Sequence, residues 1–213
     1  MELGEVVARR RMIRRYRPDP VDPAVIADVI DTARRAPSAG FAQGTAFVVV
    51  TDDALRRQLA EVCGEPRHVA RGRRPWLSVA PVHVVPCVQP AVYHRRYAEP
   101  DKAGGRGPDD WAVPWWWVDA GAALMLLLLA AVDAGLGGGL LDVADPHGVR
   151  AALRIPDDVA PLGLVTLGYA VDEQPPSSAT RRPRRPLSAQ LHWQRWPAPP
   201  TGPVGSGVPD PNA

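Results

Sequence analysis

Between Asp119 and Asp133 the chain runs through AGAALMLLLLAAV, Ala120 to Val132, without one polar side chain. A membrane span needs about 20 such residues, so this run reads as a helix of about 3.6 turns inside a folded domain. A helix that is apolar on every side has to be covered on every side. The run therefore predicts a central helix, buried more completely than a surface helix of a small domain usually is. Its flanks are equally unusual. Trp115, Trp116 and Trp117 precede it, and Gly135 and Gly137 to Gly139 follow before the apolar Leu140 and Leu141.

At 213 residues the chain suits one domain with a real core. A 46% hydrophobic share, 23% charge and a net charge of +2 are ordinary for a globular protein and single out no charged partner. Lys102 is the only lysine, and every other basic side chain apart from histidine is arginine. Those arginines are spread along the chain, not gathered in a stripe with interleaved aromatics, which argues against nucleic acid. Cys63 and Cys87 stand apart, outside any CxxC pair, so neither a disulfide framework nor a zinc site is expected. The opening MELGEVVARRRMIRR has no apolar region after its charges, which predicts a cytoplasmic protein with no membrane partner.

The pattern along the chain predicts interleaved helices and strands. A short helix is expected over residues 3–11, and Asp22-Pro23 is a strong helix start, a capping carboxylate followed by proline at the first position. The polar loop SAGFAQGT, residues 38–45, leads into the β-branched strand AFVVV, and Asp52 or Asp53 opens a further helix. Residues 64–75 and 90–114, charged and without period, are expected as loops. VHVVPCV, residues 82–88, reads as a strand whose Pro86 favours a sheet edge or a strand end. Gly135 suits a left-handed cap after the central helix, and residues 137–143 are expected to pass from loop to short strand. Asp145-Pro146 starts a helix through Leu153, and PLGLVTLGY, residues 161–169, is another strand. Residues 180–186 form an arginine-rich loop before a short amphipathic stretch, and the Pro/Gly-rich residues 197–213 are expected as a disordered tail after a domain of residues 1–196. The class is α/β or α+β, with too few strands for a doubly wound sheet.

Most familiar site chemistries are missing. GLGGG at 135–139 follows a helix and precedes a strand, the reverse of a dinucleotide-binding turn. With one lysine there is no phosphate loop of the GxxxxGK[ST] type, and the five histidines lack metal spacing. Catalysis is then expected to belong to a bound cofactor.

Four pieces in order resemble the nitroreductase family of flavin enzymes: Arg10-Arg11-Met12-Ile13-Arg14-Arg15-Tyr16; Ala36-Pro37-Ser38-Ala39-Gly40-Phe41-Ala42-Gln43; Asp119 to Gly137; and Leu167-Gly168-Tyr169 with Arg184-Arg185-Pro186-Leu187 and His192-Trp193. The resemblance implies an α+β three-layer sandwich, a central, mostly antiparallel sheet flanked by helices, in a domain-swapped homodimer. It implies FMN as cofactor, with Arg10 or Arg11 and one of Arg184 or Arg185 on the phosphate. Arg14 would lie near the N1 and O2 edge of the flavin, and Met12, Pro37, Ser38, Gly40, Gln43, Gly137 and Gly138 would line it. The activity implied is an NAD(P)H:acceptor oxidoreductase reducing a nitroaromatic, quinone or other conjugated compound. Phe41, Tyr93, Tyr97, Trp111 and Trp115 are the candidate substrate wall, aromatics suited to stacking on flat molecules, with Trp116 and Trp117 beside them.

The chain departs from the family pattern at Met12, where serine is usual, at Phe41, where asparagine is usual, and at Gly44-Thr45, where Pro-Trp is usual. Each lost hydrogen bond is worth about 0.5–1.5 kcal/mol, so weaker flavin binding is expected. Two alternatives stay open: a deazaflavin-dependent reductase of the same fold, and a flavin-binding protein without turnover.

Overall fold

Carboxylate caps set the starts of three helices. A computed structural model of the protein describes residues 1–102, 104–172, 174 and 182–197, in two units, Met1–Pro175 and Pro176–Ala213. In the first unit α1 (Leu3–Arg9) is followed by α2 (Pro23–Ala33), whose cap Asp22 accepts from Ala24 N at 2.8 Å. After β1 (Thr45–Val50), Asp52 accepts from Leu55 N at 2.8 Å to open α3 (Asp53–Val62). Each such cap is worth about 1 kcal/mol. Then come α4 (Glu65–Ala70), β2 (Val82–Val88), α5 (Pro90–Tyr97), α6 (Trp115–Asp133) and β3 (Gly137–Leu141). The unit closes with α7 (Pro146–Leu153), capped by Asp145, and the strands β4 (Ala160–Pro161) and β5 (Leu164–Gly168).

The sheet runs β1-β2-β5-β3, with β4 beside the end of β2 and every pairing antiparallel. Period-two alternation divides its side chains between two cores. Val82, Val84, Val165 and Leu167 pack with α2 and α6; Val85, Cys87 and Leu164 pack with residues of α3 and α7. The result is the α+β three-layer sandwich that the resemblance implied.

α6 ends in the expected cap. Gly135 is left-handed (φ 76°), Leu136 N bonds Ala131 O at 2.7 Å, and Gly135 N bonds Val132 O at 3.0 Å. The helix is longer than the apolar run alone predicts, 19 residues, and by length and composition it could cross a membrane. Its cover is one-sided. Ala120, Ala123, Leu127, Leu128 and Ala131 are buried, whereas Val118, Gly121 and Met125 are exposed. Burial on every side is therefore not reached within this chain.

Four expectations need correction. Residues 65–70 are α4 and not loop; its Glu65 is buried, with carboxylate oxygens that accept from the backbone N–H of Trp76, Leu77 and Ser78. Residues 90–97 are α5, with proline at its first position and Tyr93 as its buried anchor. Pro86 lies in an interior strand. Its carbonyl accepts from Leu162 N at 2.8 Å, and in extended chain the N side faces the same way, so the missing N–H falls between the β5 and β4 pairings. Residues 137–139 are strand from the start and buried. Of the expected tail, residues 198–213 lie outside the described residues, as does much of the 180–186 loop's approach.

Candidate functional site

The loop from Ser38 to Gly44 is held from several directions in an uncommon conformation. Gly40, Phe41 and Gln43 all have φ near +60°, a region costly for side chains other than glycine. Asp119 of α6, buried, accepts from Ala39 N at 2.9 Å and from the Tyr93 phenol at 2.8 Å through the same oxygen. Arg96 of α5 donates from Nε to Gly40 O at 2.8 Å and grips Asp101 with both terminal nitrogens at 2.7 Å. Ser38 Oγ accepts from Gln43 N, and Gly44 O accepts from Gln89 N. The departure at Gly44 has a steric cause: a Cβ there would come within 2.3 Å of the Tyr93 ring. Burial, then the Asp119 carboxylate, push the Tyr93 phenol far above its ordinary pKa, so it stays a donor.

Beside this loop is a cavity of about 180 Å³ lined by Arg34, Ala36, Pro37, Ser38, Gln43, Thr45, Asp119 and Ala123. Three expected cofactor residues, Pro37, Ser38 and Gln43, meet there. Arg34 and Asp119 were not anticipated. A lone acid at the start of an apolar helix was a usable signal for Asp119; Arg34 carried none. Gly40 is in the loop but packs on Tyr97, where a Cβ would come within 2.8 Å. Phe41 points outward, 72% exposed.

The expected aromatic wall is a packed cluster. Trp111 meets Tyr97 edge-on at 5.1 Å and Tyr93 at 6.1 Å, and Trp116 lies 5.8 Å from Trp111. Tyr93 is fully buried, so it supports the loop from within. One residue is about 100° of helix, which turns Trp116 inward and leaves Trp115 and Trp117 exposed.

The second group of expected residues forms a separate seat. Ile13 N bonds Gly138 O at 3.0 Å, and Met12 bridges Gly138 in parallel. The Met12 thioether faces the sheet and accepts from Leu140 N at 3.3 Å, which accounts for methionine in place of serine. The glycines serve this docking. A Cβ at Gly137 would come within 2.8 Å of Ile13, and one at Gly138 within 3.0 Å of Leu128. On the Cβ side the space is filled by this chain's own side chains. Arg14 lies over the Trp76 ring, 5.6 Å from its centroid. Among the described residues, no carboxylate pairs with Arg10, Arg11 or Arg14. None of these three, nor Met12, lines the cavity at Ser38 and Asp119. In the second unit Arg184 and Arg185 are exposed, line one open cavity with Leu187 and Gln190, and Arg185 donates to Ala189 O at 3.0 Å.

The antiparallel three-layer frame has known counterparts. Residues 7–169 match the model of the nitroreductase family. The chain is 33% identical to an NADH dehydrogenase of Thermus thermophilus, covering 87% of this chain and 93% of that protein. It is 27% identical to the oxygen-insensitive NADPH nitroreductase of Salmonella typhimurium, covering 88% and 72% respectively. Among solved structures, a nitroreductase family protein of Streptococcus pneumoniae superposes with a TM-score of 0.69 at 24% identity, over 90% of this chain and 99% of that one. Nitroreductase A of Vibrio parahaemolyticus gives 0.69 at 23%, over 92% and 77%. The protein belongs to the nitroreductase family. It is an oxidoreductase of that type.

Proposed function

We propose that the protein is an FMN-dependent oxidoreductase that takes reducing equivalents from NAD(P)H and passes them to a small conjugated acceptor, such as a nitroaromatic or quinone. One observation carries this: Arg10, Arg11 and Arg14 have no described carboxylate partner, on a segment fastened to β3. Guanidinium groups kept free of acids on a rigid seat suit a phosphate and the anionic edge of a flavin ring. When bound, FMN would supply the hydride transfer. The chain's own residues do the rest. Arg10 or Arg11 holds the phosphate; Arg14 keeps a positive charge at the ring edge; Pro37, Ser38 and Gln43 close the opposite side. The Tyr93–Trp111–Trp116 cluster keeps that side rigid and dry. The names of the Thermus and Salmonella relatives support a reduced nicotinamide as donor.

We also infer that a second copy completes the site. The cavity at Ser38 and Asp119, about 180 Å³, is below the roughly 300–1,000 Å³ usual for small-molecule sites. The arginine seat lies outside its lining. The exposed Val118, Gly121 and Met125 of α6, with Trp115 and Trp117, supply an apolar face for the partner.

Titration of flavin-free protein with FMN, followed by anaerobic addition of NADH or NADPH, tests the reading. Uptake of one FMN per chain and bleaching of the bound flavin support it. Bound flavin that no nicotinamide bleaches would favour the deazaflavin or the non-catalytic alternative; no uptake would rule the reading out.

A further inference from the structure

We propose that the cavity beside α4 holds the 2′-phosphate of NADPH and makes the enzyme selective for NADPH over NADH, an inference that rests on the nicotinamide-dependent reading above. The cavity measures about 310 Å³, and its lining includes Arg67, His68, Arg71, Trp76 and Leu141. Arg67 lies on α4 and Arg71 directly follows its last residue, and both face this cavity. Glu65 is the acid in the lining, but its carboxylate is turned into the fold, bonded to Trp76 N and Leu77 N at 2.6 Å and to Ser78 N at 3.1 Å. The lining thus carries two guanidinium groups against one carboxylate, and neither arginine pairs with that carboxylate.

Several arginines elsewhere have partners, although the side chains of Arg10, Arg11, Arg14, Arg95 and Arg154 have neither carboxylate nor carbonyl among the described residues. Arg9, Arg17, Arg34, Arg35, Arg56, Arg57 and Arg96 pair with carboxylates, and Arg106 and Arg150 bond carbonyls. Among the described residues, Arg67, Arg71, Arg73 and Arg74 have neither kind of partner. Two like charges on one cavity wall repel, a cost that a bound anion would reverse. The cavity also adjoins the proposed flavin site, because Trp76 carries Arg14 on its ring at 5.6 Å. A phosphate monoester brings close to two negative charges and three acceptor oxygens, which two guanidinium forks match better than the singly charged phosphates of a pyrophosphate.

Calorimetric titration of the FMN-loaded protein with NADP+ and with NAD+ tests this. NADP+ should bind at least about tenfold more tightly, and the double variant Arg67→Ala, Arg71→Ala should lose that preference while keeping its FMN. Both side chains are exposed and unpartnered, so the fold should survive. Flavin-free protein should likewise prefer adenosine 2′-monophosphate to the 5′-isomer, and the double variant should not. Equal affinity for the two dinucleotides, equal losses for both in the variant, or loss of FMN from the variant would overturn the proposal. Preference for the 2′-isomer in a protein that takes up no FMN would sink the flavin reading and leave this site standing.

Discussion

One carboxylate oxygen of Asp119 accepts hydrogen bonds from the phenolic O–H of Tyr93 at 2.8 Å and from the backbone N–H of Ala39 at 2.9 Å. A buried acid on the central helix thereby ties α5 to the loop that lines the cavity. Tyr93→Phe should cost about 1.5–3 kcal/mol, the worth of a hydrogen bond to a charged group. Asp119→Ala should cost more, because it strands two donors. Urea unfolding measures both, and both variants should retain less FMN than the wild type.

Arg96 reaches Gly40 O with Nε while its two terminal nitrogens grip Asp101. A lysine ammonium is a point charge and cannot do both. Arg96→Lys should therefore release the loop, raising the FMN dissociation constant severalfold with little change in melting temperature. Equal effects on melting and on FMN binding would show that the contact serves only the fold.

His83 is fully buried on β2, with Nε2 donating to Leu77 O at 2.9 Å and Nδ1 without a described partner. Burial is the main cause of a pKa lowered to about 4; the Leu77 carbonyl and Glu65 act the other way. The folded value is below the unfolded value of about 6.5, so the stability it contributes is present above that pH. It is lost as pH falls toward 4, where the unfolded chain binds the extra proton. The loss should total roughly 3 kcal/mol. His83→Phe should flatten unfolding free energy against pH in that window; an unchanged slope would place the proton elsewhere.

Gly139 has no room for a side chain. A Cβ would stand 2.7 Å from Ile13 O and from Thr166 Oγ1, and 2.8 Å from the Trp76 ring. Gly139→Ala should destabilise by about 1–3 kcal/mol and disturb Arg14 through Trp76. Thermal unfolding and FMN retention, measured together, check this.

What local pattern specifies was legible. The Asp22, Asp52 and Asp145 caps, the β-branched strands and the Gly135 stop all depend on neighbours within a few residues. What failed depends on distant partners. α4 looked like loop because Glu65 reads as solvated, and its stabilising N–H groups come from residues 76–78. Pro86 pointed to an edge because the gap between two partner strands is a tertiary fact. That Ile13, from the far end of the chain, packs against the Cβ side of Gly137 is likewise a tertiary fact. The two halves of the candidate site were named residue by residue, but only the three-dimensional fold shows that Arg10, Arg11 and Arg14 stay outside the cavity lined by Ser38 and Gln43.

That separation gives the sharpest test. One variant would carry Arg10→Ala and Arg14→Ala, the other Ser38→Ala and Gln43→Ala, and each alone should retain little FMN. Co-expressed and isolated as a mixed dimer, they should bind one FMN per dimer, since one of the two shared sites then has both halves intact. If the mixed dimer binds none while the wild type binds two, each site is built within a single chain and the shared flavin site proposed for this protein is wrong.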